Sequence, residues 1–343
     1  MREKGCDSLE HGTEDSRLYD FAKTIVALLT VIAHSTIMYT SYGTFSPANG
    51  SNLLAMVTEY IYQFHMPMFV FLSGAIYALC IQDGRYGNNA DFLWKKTKRL
   101  VLPYFIFGFF YVAPAMCLLG LTEQSYLQYC YNGIILSLNS RHLWYLEALF
   151  VIFVFAMIVR RLLLHSWKSR IAVLVISALL FFFREHVPHY FQLQKACAYQ
   201  LYFVCGVMFH FCYKWIYTIF YKIRWVIMLF PIVLLGKFYY NPNMITELFY
   251  QYIGIVMMIK LSMYVAEKRE TLFKRSWYLC IKKNTMGIYL FHPVIIYGFY
   301  YFLGPKDINP YLLSIGIAAM ALMLSVLATS ITRKLHMGIL IGE

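Results

Sequence analysis

Apolar runs of about 17 to 22 residues recur along the whole of this chain, each long enough to cross roughly 30 Å of hydrocarbon as a helix. That repetition constrains the fold more than any single motif. It leaves no long polar block that could build a separate soluble domain. Composition agrees: only 14% of the 343 residues are charged and the mean hydropathy is +0.56, where a soluble protein carries nearer about a quarter charged. The expected fold is an all-α, polytopic integral membrane helical bundle of about ten transmembrane helices. The spans fall near 20–40, 65–82, 100–120, 143–160, 171–184, 197–213, 224–239, 245–264, 285–303 and 311–331. Residues 1–19 read as a short cytoplasmic tail without a signal peptide, and 20–335 as one ten-helix domain.

Two details stay open. Segment 53–64 either extends the second span or lies at the surface as an amphipathic helix, and Glu59 favours the surface. Of the eight cysteines, most lie inside spans and act as small hydrophobes; a Cys117–Cys130 bridge is the one pairing considered. Gly43 to Asn52 reads as an external loop, and Gln82 to Asp91 as a tight connection rich in turn residues.

The basic residues orient the bundle. With the N-terminus inside, 23 of the 30 Lys and Arg fall in internal segments and five in external ones. The other two, Lys23 and Lys260, lie within spans. This positive-inside bias places both termini in the cytoplasm of a cell (inner or plasma) membrane. It also turns the net charge of +13 away from nucleic acid and towards anionic lipid, since the charge is spread over every internal loop.

Inside the first span, Lys23 and His34 stand eleven residues apart. Eleven residues are close to three helical turns, so both side chains share one face about 16 Å apart along the axis. Ionisable groups cost a few kcal/mol each in hydrocarbon, which makes them a functional hypothesis by default. Four further polar groups flank the spans. Phe64-His65-Met66-Pro67 to Ser73-Gly74 opens the second, with Pro67 in its first turn and His65 at the outer edge. Lys95-Lys96-Thr97-Lys98-Arg99 to Pro103 enters the third from inside. Arg141-His142-Leu143-Trp144-Tyr145-Leu146-Glu147 enters the fourth from outside, and Asn284 to Tyr289, His292 and Pro293 opens the ninth from inside. No Gly-rich phosphate loop, HExxH or GxSxG is present, and no metal is expected.

In order and spacing, these segments resemble acyltransferase family 3, membrane proteins that acylate surface sugars and other envelope molecules. The resemblance rests on a basic residue, ten intervening residues and a histidine (Lys23, His34), and on the run Pro67 to Gly74. It continues with the basic pair Lys96 and Arg99 before Pro103, with His142 to Leu146, and with Tyr289 and His292. It covers essentially the whole chain. Two departures stand out: lysines occupy positions 23 and 96 where the family carries arginine, and a lysine cannot hold a phosphate or carboxylate bidentately. The Asp-x-Ala-Lys form of the first helix is similar to the sugar O-acetylase branch, including fucose acetylase relatives. No esterase-like domain follows the last span, so transfer is expected to finish within the membrane part.

The resemblance implies an acyl-CoA-dependent O-acyltransferase, with acetyl-CoA as the expected co-substrate and a glycan or lipid-linked sugar as acceptor. Envelope polysaccharide assembly proteins are the implied partners. The catalytic candidates are His34, Lys23, His65, Glu147 and His292. Lys96, Lys98, Arg99 and Lys23 are expected to hold the carrier, and His142, Trp144 and Tyr289 the acceptor. Such a transfer needs a base near the hydroxyl, an anchor for an anionic carrier and polarisation of the thioester. Each residue also has an ordinary role: Lys23 can snorkel, the basic residues can set topology, and Trp144 can belong to an aromatic belt. Two other readings use the same residues. In a transporter or flippase for a polysaccharide precursor they relay protons or bind cargo, though no inverted repeat is evident. In a structural subunit of a polymer-export assembly they join subunits.

Overall fold

The computed structural model describes residues 14–222 and 243–343. Among them every regular element is helical. The long helices are α1 (Glu14–Thr36), α2 (Asn52–Gln82), α3 (the span Asn89–Leu118), α4 (Trp144–Ile158), α5 (Trp167–Phe182), α6 (Leu193–Phe211), α7 (Tyr213–Lys222), α8 (Met244–Lys268), α9 (Ser276–Leu303) and α10 (Pro310–Lys334). Seven spans among the described residues are long and apolar enough to cross a membrane, or eight if Tyr190–Phe211 and Tyr213–Ile219, bent by 85°, form one. The chain is therefore a multi-pass membrane protein. The expected span 171–184 coincides with α5, whose 16 residues reach only about 24 Å. The expected span 224–239 lies outside the described residues.

Segment 53–64 does not lie apart at the surface. Asn52–Gln82 is one continuous helix of 31 residues, capped by Ser51, whose side chain accepts from the Leu54 N–H. Glu59 is accommodated because the Tyr42 hydroxyl donates to it. Burial first, and Glu59 second, push the Tyr42 phenol above its ordinary pKa. Pro67 consequently stands in mid-helix rather than in a first turn, where its ring removes the N–H that would bond the Gln63 carbonyl. Cys117 and Cys130 both carry free thiols, so the bridge considered between them is absent.

Small residues set the closest crossing. A Cβ on Gly74 would meet the Phe203 carbonyl oxygen at 2.0 Å, and one on Gly206 the Phe71 carbonyl oxygen at 1.9 Å. α2 and α6 thus touch backbone to backbone, the packing that small residues allow in membranes. The two glycines face each other across helices, so no GxxxG spacing in one segment announces them.

α1 is the hub, packed against α2, α8, α9 and α10. One end of the bundle is basic: Lys282 pairs with Asp20 at 2.5 Å, and the Arg333 guanidinium donates to Asn284 Oδ1 at 2.5 Å and to the Lys283 carbonyl at 2.7 Å. At the opposite end the Asn49 amide donates to Asp307 at 2.8 Å, and the Tyr39 hydroxyl to the Pro310 carbonyl at 3.1 Å. α1 runs from the first end to the second, with Lys23 near its start and His34 near its finish.

Candidate functional site

An open cleft of about 1010 Å³, counting its mouth, runs beside α1. Lys23, Lys96 and Arg99 line it, together with Thr30, Ser73, Tyr145, Tyr289 and His292. Three cations from α1 and α3 therefore share a cavity with a histidine from α9. The Lys96 ammonium is centred 4.0 Å from the Phe153 ring, with Tyr86 and Phe92 at 5.4 and 5.7 Å. Such ring faces stabilise a partly desolvated cation. Tyr86 lies in the loop before α3, and burial pushes its phenol up, keeping it neutral. Arg99 falls in a π-type stretch, Thr97–Val101, an irregularity often found at functional sites. Its carbonyl is covered by the C-terminal segment, where a Cβ on Gly342 would come within 2.6 Å.

At the far end of the cleft, four histidines from four segments converge. The His34 ring lies 4.9 Å from that of His292, and His292 lies 6.4 Å from His142. Tyr62 joins the fourth: its ring stacks on His34 at 5.9 Å with planes 10° apart, and meets His65 edge-on at 4.7 Å. His65, expected at the wet outer edge, is instead 2% exposed, because α2 begins thirteen residues earlier and carries it into the bundle. His292 is 1% exposed.

Hydrogen bonds fix the tautomers. A carbonyl can only accept, so His65 donates from Nδ1 to Ile61 at 3.0 Å and His292 from Nδ1 to Ile288 at 2.6 Å. His142 donates from Nε2 to Leu290 at 3.2 Å. The second nitrogens, His292 Nε2 and His142 Nδ1, are buried and without a partner. Buried polar atoms are nearly always satisfied, so two such nitrogens in one cluster make it a candidate site, with two acceptors available to a ligand or a proton. The Tyr289 hydroxyl donates to the His142 carbonyl, tying the segment before α4 to α9.

Three expected site residues lie elsewhere. Lys98 is exposed, with its ammonium 4.8 Å from the centre of the Trp94 ring; one position off the face shared by Lys96 and Arg99, it points away from the cleft. Glu147 accepts from the Ser137 hydroxyl and does not line the cleft. Trp144 packs against Tyr199 at 5.3 Å and the Lys195 ammonium at 4.4 Å, also off the cleft. Conversely, Thr30, Ser73 and Tyr145 line the cleft although the sequence motifs do not single them out. Ser73 and Tyr145 stand inside recognisable segments, and their hydroxyls lie 3.4 Å apart. Thr30 is on the Lys23–His34 helix, seven residues past Lys23. Among the described residues no three His, Cys, Asp or Glu side chains are placed to share a metal ion.

A family model described as an acyltransferase domain matches residues 18–331, nearly the whole chain and every residue of the site. No curated protein and no solved structure matches the chain.

Proposed function

Because the chain belongs to acyltransferase family 3, we propose that this membrane acyltransferase moves an acyl group from acyl-CoA to a hydroxyl of a surface glycan or lipid-linked sugar. Acetyl is the group proposed. The observation that carries the reading is the cleft itself, with Lys23, Lys96 and Arg99 at one end and His292 at the other. Three cations match the phosphates of the carrier, and the rise from Lys23 to His34, about 16 Å, matches the reach of an extended pantetheine arm. Facing the basic end to the cytoplasm puts the cations where cytosolic acyl-CoA would arrive.

In this reading the thioester lies at the histidine end. The acceptor hydroxyl loses its proton to His34 as its oxygen bonds to the carbonyl carbon. The C–S bond then breaks, and the proton leaves on the thiolate sulfur, passed through the free Nε2 of His292. The Tyr145 hydroxyl is the nearby donor for the carbonyl oxygen, beside Ser73, whose own hydroxyl donates to the Phe69 carbonyl at 2.9 Å. The Asp20–Lys282 pair and the glycine crossing of α2 on α6 hold the frame.

The test uses purified protein in lipid nanodiscs with carbonyl-labelled acetyl-CoA and an envelope glycolipid extract. Label appearing in the glycan fraction and released by mild alkali is the expected result. Label transferred to no hydroxyl-bearing component would overturn the reading.

A further inference from the structure

Beyond the donor cleft, a second, open cavity of about 430 Å³, counting its mouth, lies between α2 and α8, lined by Tyr62, Gln63, Glu247, Tyr250 and Gln251. It lies just outward of a close α2–α8 approach, where a Cβ on Gly254 would meet Phe64 Cβ at 2.3 Å. Glu247 is exposed in the first turn of α8, so the cavity opens towards the end of the bundle opposite the basic one.

Its chemistry differs from that of the cleft. None of the five side chains is cationic, and a carboxylate stands at the mouth, which disfavours a phosphate-bearing carrier. Gln63 is only 7% exposed, yet neither its amide oxygen nor its amide nitrogen has a partner. One buried group thus offers a donor and an acceptor side by side, both unspent. The Gln251 amide oxygen accepts from the Tyr202 hydroxyl, which orients that side chain and leaves its N–H groups to donate. Two tyrosine rings complete the wall, apolar surfaces with a polar rim. Adjacent hydroxyls that both donate and accept, on a body with apolar faces, fit this set. That is the chemistry of a saccharide.

The cavity also touches the reaction centre. Tyr62, which lines it, is the ring stacked on His34, so a ligand here is separated from the proposed base by one side chain. We infer that this cavity is the acceptor subsite, taking a neutral sugar through the end opposite the donor and presenting a hydroxyl to His34 past Tyr62. This assignment rests on the acyl-transfer reading for its role, but the binding it requires can be measured without any transfer.

The experiment is ligand-observed saturation-transfer NMR on the full chain in nanodiscs free of sugar detergents. The probes are methyl β-glucoside, methyl β-galactoside and methyl α-fucoside. Saturation should reach at least one probe with the wild-type protein. Affinity for that probe should weaken by roughly tenfold or more in Gln63→Leu, which deletes two hydrogen-bonding atoms at nearly constant volume. The leucine removes an unpaired buried amide, so folding should survive, and Glu247→Gln at the exposed mouth gives a second variant with a smaller loss. Acetyl-CoA binding on the same samples should be unchanged, and it reports on the donor reading separately. No saturation of any probe by the wild type, as for a cavity that holds only water, would overturn the assignment. Equal saturation in wild type, Gln63→Leu and Glu247→Gln would do the same.

Discussion

Two polar clusters within this bundle look alike in sequence and differ in one physical respect. Around Glu147 the polar side chains bond one another and the backbone: the Ser137 hydroxyl donates to the carboxylate, and the Tyr104 hydroxyl bonds the Ile134 carbonyl at 2.7 Å. The Gln192 amide donates to the Ser137 carbonyl at 2.6 Å. That network clamps a loop whose Ser137 and Arg141 adopt left-handed backbone angles, φ 59 and 50, conformations that persist only when surroundings hold them. The histidine cluster is the opposite case. Three of its four rings, those of His65, His142 and His292, are held by single bonds to helix carbonyls, and His292 Nε2 and His142 Nδ1 stay unspent. A closed network stabilises the fold; an open one at the end of a cleft leaves atoms free for chemistry.

Substitutions can break that contrast. Of the substitutions that compare the two networks, His292→Gln should have the largest effect, lowering turnover by about 10²-fold, the usual range for a lost acid–base group, with the melting temperature little changed. Turnover near wild type would reduce His292 to a packing residue. Glu147→Ala should do the reverse. It strands the hydroxyl of Ser137 and should cost about 1–3 kcal/mol of stability, read as a lower melting temperature, while turnover per folded molecule holds. Lost turnover at full stability would place Glu147 back in catalysis.

Smaller effects are expected at the basic end. Arg99→Gln should weaken acetyl-CoA binding roughly tenfold, equivalent to about 1.4 kcal/mol, and flatten its dependence on salt because one screened charge contact is gone. Lys98→Gln should leave both quantities unchanged within error, since its ammonium lies over Trp94 outside the cleft. Equal losses in the two variants, measured by calorimetry at two salt concentrations, would show that net charge rather than the lined cleft attracts the carrier.

Much of this architecture is legible in the amino-acid sequence. Long apolar runs dictate membrane helices because length and hydropathy are local properties. Lys23 and His34 share a face by helical arithmetic alone, and the cleft alongside α1 starts at the first and ends beside the second. The same arithmetic separates Lys98 from Lys96 and Arg99, although its place in a basic run groups it with them. Glu147 misleads for a different reason. A carboxylate in an apolar span is costly wherever it sits, and only the fold brings Ser137, at a left-handed turn, within reach to satisfy it. His65 sits deeper than its sequence suggests because Pro67 reads as a helix start, while the true cap at Ser51 lies well before it. Gln63 carries no signal at all: an unpaired amide is defined by what three-dimensional packing leaves around it.

Acyl transfer is proposed to take place at His34, between the donor cleft and the ring of Tyr62. It is tested most directly by measuring turnover and acetyl-CoA affinity on the same folded sample of His34→Ala. Turnover should fall by about 10²-fold or more while affinity for acetyl-CoA stays nearly intact. Wild-type turnover in that folded variant would contradict it.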